Sequence, residues 1–215
     1  MTEQARNKKI IVFNGPAGVG KDHIANHVQK QLIKHAPHLK PNLEKMMLQC
    51  KIATHALFGL FHTPEHIDKE RLKDTTCSDL IYGGTYRDNY VRFQAMIRRE
   101  FGDDVFGHLM EHNLRRKPNA MVHIFSDSGV ALEWYPVIDY VGGNSVLLVV
   151  LEGRQEAQFN DDVRGYMHHD LHARYPDLGV VRMPHAIAGT SDLTLKRTLV
   201  WGAVKKFLSL DVEDD

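Results

Sequence analysis

The chain has 215 residues, 43% of them hydrophobic and 25% charged, and its 27 basic side chains balance 27 acidic ones. This size suits one soluble domain with a sizeable core and a small inserted lobe, and zero net charge gives no global positive field for nucleic acid. No apolar run is long enough to cross a bilayer, residues 1–9 lack the apolar core of a signal peptide, and two cysteines without metal spacing fit a reducing cytoplasm.

Ile10-Ile11-Val12-Phe13 is an apolar run that predicts a short buried strand. Gly15-Pro16-Ala17-Gly18-Val19-Gly20-Lys21-Asp22 follows it, then a helical pattern with Ile24, Val28 and Leu32 on one face. Strand, glycine-rich loop and helix in that order make G-x-x-x-x-G-K a phosphate cradle. Glycines allow the tight turn that aims successive N–H groups inward, and the helix N-terminus adds about half a positive charge. Lys21 adds a full charge within reach of β- and γ-phosphates. The Ser or Thr that usually follows this lysine is replaced by Asp22, and His23 comes next. Asp22 is expected near Mg²⁺, a hard cation that favours oxygen ligands, or as a partner of the helix dipole, and the two roles are compatible.

The first helix is expected to run from Lys21 to His35 and to stop before Pro37. Residues 44–50 predict a second strand with Lys51 at its C-terminal end, where α/β sheets bind ligands. Residues 63–85, polar and interrupted, predict part of a helical lobe or flap. Two helices follow up to Arg116, broken at Gly102, with Val91, Ala95 and Ile97 lining one and Val105, Phe106, Leu109 and Met110 the other. Arg92, Arg98 and Arg99 are candidate anion ligands because a guanidinium fork matches phosphate oxygens.

Met121-Val122-His123-Ile124-Phe125 predicts a core strand ending in Ser126-Asp127-Ser128-Gly129. An acid there suits Mg²⁺ or an acceptor hydroxyl, and equally a turn or helix cap. A helix with Leu132, Val137 and Val141 comes next, then the strongest apolar run, Ser145-Val146-Leu147-Leu148-Val149-Val150-Leu151, expected as a central parallel strand. Arg154 lies just beyond it, and Arg164 closes the polar stretch that follows. Arginines on a closing segment would neutralise charge on a transferring phosphoryl group. His168, His169 and His172 are read as solvated, because no second acidic motif accompanies them. Val180-Val181-Arg182-Met183 predicts a last strand, and Leu195, Leu199, Ala203 and Phe207 the core face of a final helix.

Strands alternating with helices predict an α/β, parallel, doubly wound sheet flanked by helices, of P-loop NTPase type. The expected organisation is a single domain over residues 1–215, with a helical acceptor-binding lobe at about 52–116 and a mobile lid at about 153–175.

The motifs in this order resemble the deoxynucleoside monophosphate kinases of tailed bacteriophages, in the P-loop nucleoside monophosphate kinase group. Gly20-Lys21-Asp22 looks like that family's G-K-D variant of the loop, which animal-type phosphomevalonate kinases share. Val91-Arg92-Phe93, followed by Phe101-Gly102-Asp103-Asp104-Val105-Phe106-Gly107, is similar to P-R-E and then F-G-K-D-x-F-G. Ser126-Asp127-Ser128-Gly129 with Glu133 looks like S-D-S-G-F with a following glutamate. Arg154 with Phe159, Asp162, Arg164 and Tyr166 resembles R-x-G-x-x-F-x-x-D-S-R-x-Y. Val91, Phe93, Val163 and Gln155-Glu156 depart from these patterns.

The resemblance implies ATP and Mg²⁺ as cofactors and a deoxynucleoside 5′-monophosphate as substrate, with phosphoryl transfer serving phage DNA precursor synthesis in the cytoplasm of an infected host. By it, Gly15, Gly18, Gly20 and Lys21 hold the ATP phosphates, within a cradle that runs from Gly15 to His23. Asp22 sits near Mg²⁺, Lys51 and Arg92 face the acceptor, Asp127 lies between metal and acceptor, and Arg154 and Arg164 close over the phosphoryl group. Nucleic acid and membrane are not expected partners, and a homodimer is left open. The alternatives are a P-loop kinase of a modified base in DNA, a kinase of another small phosphorylated metabolite, and a nucleotide-binding regulator without catalysis.

Overall fold

The structure, a computed structural model, describes residues 7–59, 63–69, 72–76, 83–153, 165–184 and 193–210. The chain divides into two compact units, Met1–Lys45 with Gly107–Asp215, and Met46–Phe106. The strands are β1 (Lys9–Asn14), β2 (Asn42–Glu44), β3 (Val122–Ser128), β4 (Val146–Leu151) and β5 (Gly179–Met183). The helices are α1 (Lys21–His35), α2 (Leu48–Phe58), α3 (Pro64–Lys69), α4 (Tyr86–Phe101), α5 (Val105–Arg116), α6 (Tyr135–Val141), α7 (His168–Arg174) and α8 (Leu193–Phe207).

The larger unit holds a five-stranded sheet in the order β2-β3-β1-β4-β5, parallel throughout. β1 is central. The chain leaving β1 crosses to β2 on one side, and the chain leaving β3 crosses to β4 on the other. The direction of winding therefore reverses at β1, and ligands of open α/β sheets bind beyond the strand ends at such a point. β4 is buried along its whole length because helices cover both faces of the sheet. Ile11 and Phe13 of β1 pack with Ile24, Val28 and Leu32 of α1 and Val200 and Val204 of α8. On the other face Phe125 meets Trp134 edge to face, with ring centroids 5.4 Å apart. This is the α/β P-loop fold that the sequence predicts.

In the smaller unit, α2 and α4 pack through His55, which hydrogen-bonds the Tyr90 hydroxyl at 2.6 Å and stacks on Tyr86 and Tyr90. Ile67, Tyr86 and Tyr90 form its core. Thr85 caps α4 in a reciprocal capping box with Asp88.

Several expectations are corrected. The second strand is shorter and earlier than predicted, and Leu48, Gln49 and Cys50 belong to α2. Met, Leu, Gln and Lys are good helix formers without branching at Cβ, so an apolar run of Met46, Met47 and Leu48 does not make a strand. Lys51 consequently lies in the first turns of a helix, not at a strand end. Val91 is 57% exposed, and α4 buries Tyr86 and Tyr90 instead. The buried stripe of α8 is Lys196, Val200 and Val204, one residue on from the predicted one, while Leu195 and Leu199 are exposed.

Candidate functional site

The loop between β1 and α1 gathers the features of an anion cradle. Gly15, Gly18 and Gly20 all have positive φ, at 149°, 76° and 97°. At Gly15 a side chain is excluded, because a Cβ would stand 2.3 Å from the Leu151 carbonyl oxygen. The loop thus lies directly on the end of β4. Gly20, in the left-handed region, caps α1 without a side-chain hydrogen bond. Pro16 and Val19 are buried, and Ala17 and Gly18 are exposed. The Lys21 ammonium donates to the carbonyls of Gly15 at 2.5 Å and Pro16 at 2.7 Å, so the cation lies within the curve of the loop.

Asp22 stands in the first turn of α1, where the helix dipole favours a carboxylate. Its Oδ1 accepts a 2.5 Å hydrogen bond from the Ser126 hydroxyl of β3. Lys45 Nζ is 3.9 Å from the same oxygen. Ser126 is 3% exposed, whereas the Asp22 side chain is 67% exposed. Val12 pairs with Phe125 and Asn14 with Ser128, so β3 carries one extra residue between these pairs, a β-bulge at the end nearest the loop. Asp127 sits in that bulge, partly buried. Ser128 donates to the Phe13 carbonyl at 2.6 Å and ties the bulge to β1.

Asn14, fully buried at the end of β1, donates to the Gly165 carbonyl at 3.0 Å and accepts from the Met167 N–H at 3.2 Å. The Gly153 N–H donates to the Tyr166 hydroxyl at 3.2 Å. Residues 153 and 165–167 are thereby anchored to the sheet beside the loop. Arg154 and Arg164 lie outside the described residues. Lys51 and Arg92 both belong to the smaller unit. The Lys51 ammonium lies 5.5 Å from the Tyr90 ring centroid, and Arg92 is exposed on α4.

The structure therefore brings together Gly15 to Asp22 on the loop and α1, with His23 exposed beside them. Sequence reasoning missed Ser126 and Asn14. Each is a polar residue ending an otherwise apolar core strand, and that was the signal available. His168 is a second correction. It is 9% exposed, not solvated, with the His169 ring tilted against it at 3.9 Å and the Tyr166 ring edge-on at 6.2 Å between centroids. Burial, with the nearby His169 and Arg182, pushes its pKa down.

Among the described residues no three His, Cys, Asp or Glu side chains cluster as a metal site. Mg²⁺ commonly binds through one or two carboxylates together with substrate phosphates and water, and the all-oxygen pair of Asp22 and Ser126 fits that demand. A cavity of about 290 Å³ lined by Lys8, His38, Lys40 and Met121 lies at the opposite end of β1. Lys8 there is committed to the carbonyls of Lys117 and Ala120, at 2.7 and 3.0 Å.

No protein-family model matches the sequence, and no curated protein matches it either. Among solved structures, the chain is similar to a thymidylate kinase from Ehrlichia chaffeensis, with 15% identity, TM-score 0.44, and coverage of 94% of this chain and 98% of that one. It is also similar to a cobyrinic acid a,c-diamide synthase from Mycobacterium smegmatis with bound ATP analog and magnesium, at 14% identity, TM-score 0.44, and coverage of 93% and 82%. A sugar kinase from Janibacter sp. HTCC2649 follows at 14% identity, TM-score 0.38, and coverage of 92% and 95%. Likenesses this distant carry no argument about activity. No described helix is long and apolar enough to cross a membrane.

Proposed function

We propose that the protein is an ATP-dependent kinase that phosphorylates deoxynucleoside 5′-monophosphates to diphosphates. The observation that carries the nucleotide half is the loop itself, with three positive-φ glycines and the Lys21 ammonium held inside its curve. The acceptor half rests on the resemblance of the motifs after the loop to the phage deoxynucleoside monophosphate kinases, and the phage setting rests on it too.

In this reading, residues Gly15 to His23 cradle the triphosphate, and Lys21 shifts from loop carbonyls to phosphate oxygens. Mg²⁺ would neutralise phosphate charge when bound with the nucleotide, and Asp22 would help to hold it. Asp127 orients the acceptor side, and Lys51 and Arg92 supply cations to the acceptor phosphate. Arg154 and Arg164 neutralise the transferring group. Phosphoryl transfer asks little covalent chemistry of the protein, so in-line positioning and charge neutralisation account for these roles.

The test is ADP release from ATP and Mg²⁺ with each of the four deoxynucleoside monophosphates, their ribose counterparts, and a DNA oligomer. Stimulation by a deoxynucleoside monophosphate, lost in Lys21→Ala, is the expected result. Stimulation by DNA alone makes the protein a base-modifying kinase. ATP binding without any stimulation removes the monophosphate kinase assignment.

A further inference from the structure

The usual P-loop cation seat is made of two oxygens from fixed places. A hydroxyl follows the loop lysine, and a carboxylate comes from a neighbouring core strand. In this chain both places are filled, with the residue types exchanged. Asp22 follows Lys21, and the side chain that reaches it from β3 is the Ser126 hydroxyl, at 2.5 Å.

The placement follows from the strand. Val122 and Ile124 point into the core shared with α1, as their packing with Ile24 and Val28 shows. Period-2 alternation carries Ser126 to the same side, and its contact with Asp22 confirms that orientation. Buried serine hydroxyls usually bond a backbone carbonyl nearby, and Ser128 does so. Ser126 instead bonds an exposed carboxylate beside the phosphate loop. The pair keeps one negative charge and two hard oxygens, the composition of the usual seat.

We infer that Asp22 and Ser126 form a type-swapped cation seat, in which Asp22 supplies the charge from α1 and Ser126 supplies the neutral oxygen from β3. Ser126 is then a metal-positioning residue that the sequence motifs did not reveal. The inference rests on reading the loop as a nucleotide site.

The test titrates Mn²⁺ against ADP and the full-length protein, following the free Mn²⁺ signal by electron paramagnetic resonance. Metal-free ADP binding is measured in parallel. Ser126→Ala should weaken Mn²⁺ in the ternary complex by about tenfold, and Asp22→Ser by more. The exchange Asp22→Ser with Ser126→Asp rebuilds the usual order and should return affinity to within about threefold of the wild type. Ser126→Ala, which alters neither the loop nor its lysine, should not weaken metal-free ADP binding. Asp127→Asn is the competitor. If it abolishes Mn²⁺ binding while Ser126→Ala matches the wild type, the acid of β3 holds the cation and the swap is overturned. A double variant no better than Asp22→Ser overturns it as well. A wild-type protein that binds ADP and Mn²⁺·ADP but phosphorylates no monophosphate leaves the swap standing and sinks only the acceptor assignment.

Discussion

Glu44 ends the edge strand β2 and Asp22 opens α1, and both carboxylates lean towards β3. Glu44 accepts from Asn42 at 2.8 Å, from His123 Nδ1 at 2.6 Å and from Lys117 at 2.6 Å. Its side chain is 16% exposed. Burial pushes its pKa up, but the hydrogen bonds and charges of His123 and Lys117 outweigh that and hold it below the ordinary carboxylate value. Among the described residues Asp22 has one hydroxyl donor and a long ion pair, and it stays two-thirds exposed. Glu44 has its lone pairs committed to the fold. Asp22 keeps lone pairs uncommitted among the described residues, as the proposed cation seat requires. Partner count and exposure, not charge, separate the two acids.

The largest expected effect falls at the open end of this contrast. Lys21→Ala removes the only full positive charge on the loop and should lower ATP turnover by about a thousandfold or more, with the fold kept. Turnover by single-product assay, beside circular dichroism, checks both halves. Persistent turnover in a folded variant would remove the loop from the mechanism.

Gly15→Ala comes next and acts on the scaffold. Its Cβ would meet the Leu151 carbonyl oxygen at 2.3 Å, and neither backbone can yield. The backbone angle of 149° is also unfavourable for a side chain. The cost should be on the order of 3 kcal/mol or more, since strain and overlap act together. Gly18→Ala is the control, with open space around its Cβ. Urea denaturation that ranks Gly18→Ala as the more harmful of the two would contradict the close seating of the loop on β4.

Much of this was legible in advance. The apolar runs of β1 and β4 are unbroken and bounded by turn residues, and the glycines and lysine of the loop have fixed spacing. What was not legible has definite causes. Met46 to Cys50 is largely apolar without periodicity, and only the lack of branching at Cβ favours a helix there. On α8 two apolar stripes run side by side, so periodicity alone cannot choose between Leu195-Leu199 and Val200-Val204. His168 is buried by ring neighbours from its own segment, which hydrophobicity does not register. Ser126 lies beside Asp127, and a sequence reading favours the charged residue. The hydrogen bond from Ser126 to Asp22 is visible only once the strand and α1 are placed side by side.

The closed acid gives a pH test. Glu44→Gln leaves His123 and Lys117 facing a neutral amide, and should cost about 1–3 kcal/mol near neutral pH. The folded-state pKa of Glu44 is depressed, so its contribution is fully present above the unfolded value and is lost as pH falls through the folded one. The stability gap between wild type and Glu44→Gln should therefore be widest near neutrality and should close on acidification below the ordinary carboxylate range. A gap that widens in acid would mean that the carboxylate is not the stabilising form.

Asp22→Asn completes the contrast with the smallest effect on stability. The substitution keeps the shape and an oxygen for the Ser126 hydroxyl, and it removes an exposed charge from the first turn of α1. The dipole interaction lost is about 0.3–1 kcal/mol. For a chain of this size each kcal/mol moves the midpoint by roughly 2–4 °C, so the shift should stay within a few degrees. Thermal unfolding of Asp22→Asn beside Glu44→Gln reads both acids on one scale. If Asp22→Asn proves as destabilising as Glu44→Gln, then Asp22 is a structural acid despite its exposure, and its bond to Ser126 is a clamp between α1 and β3 instead of a seat for a cation.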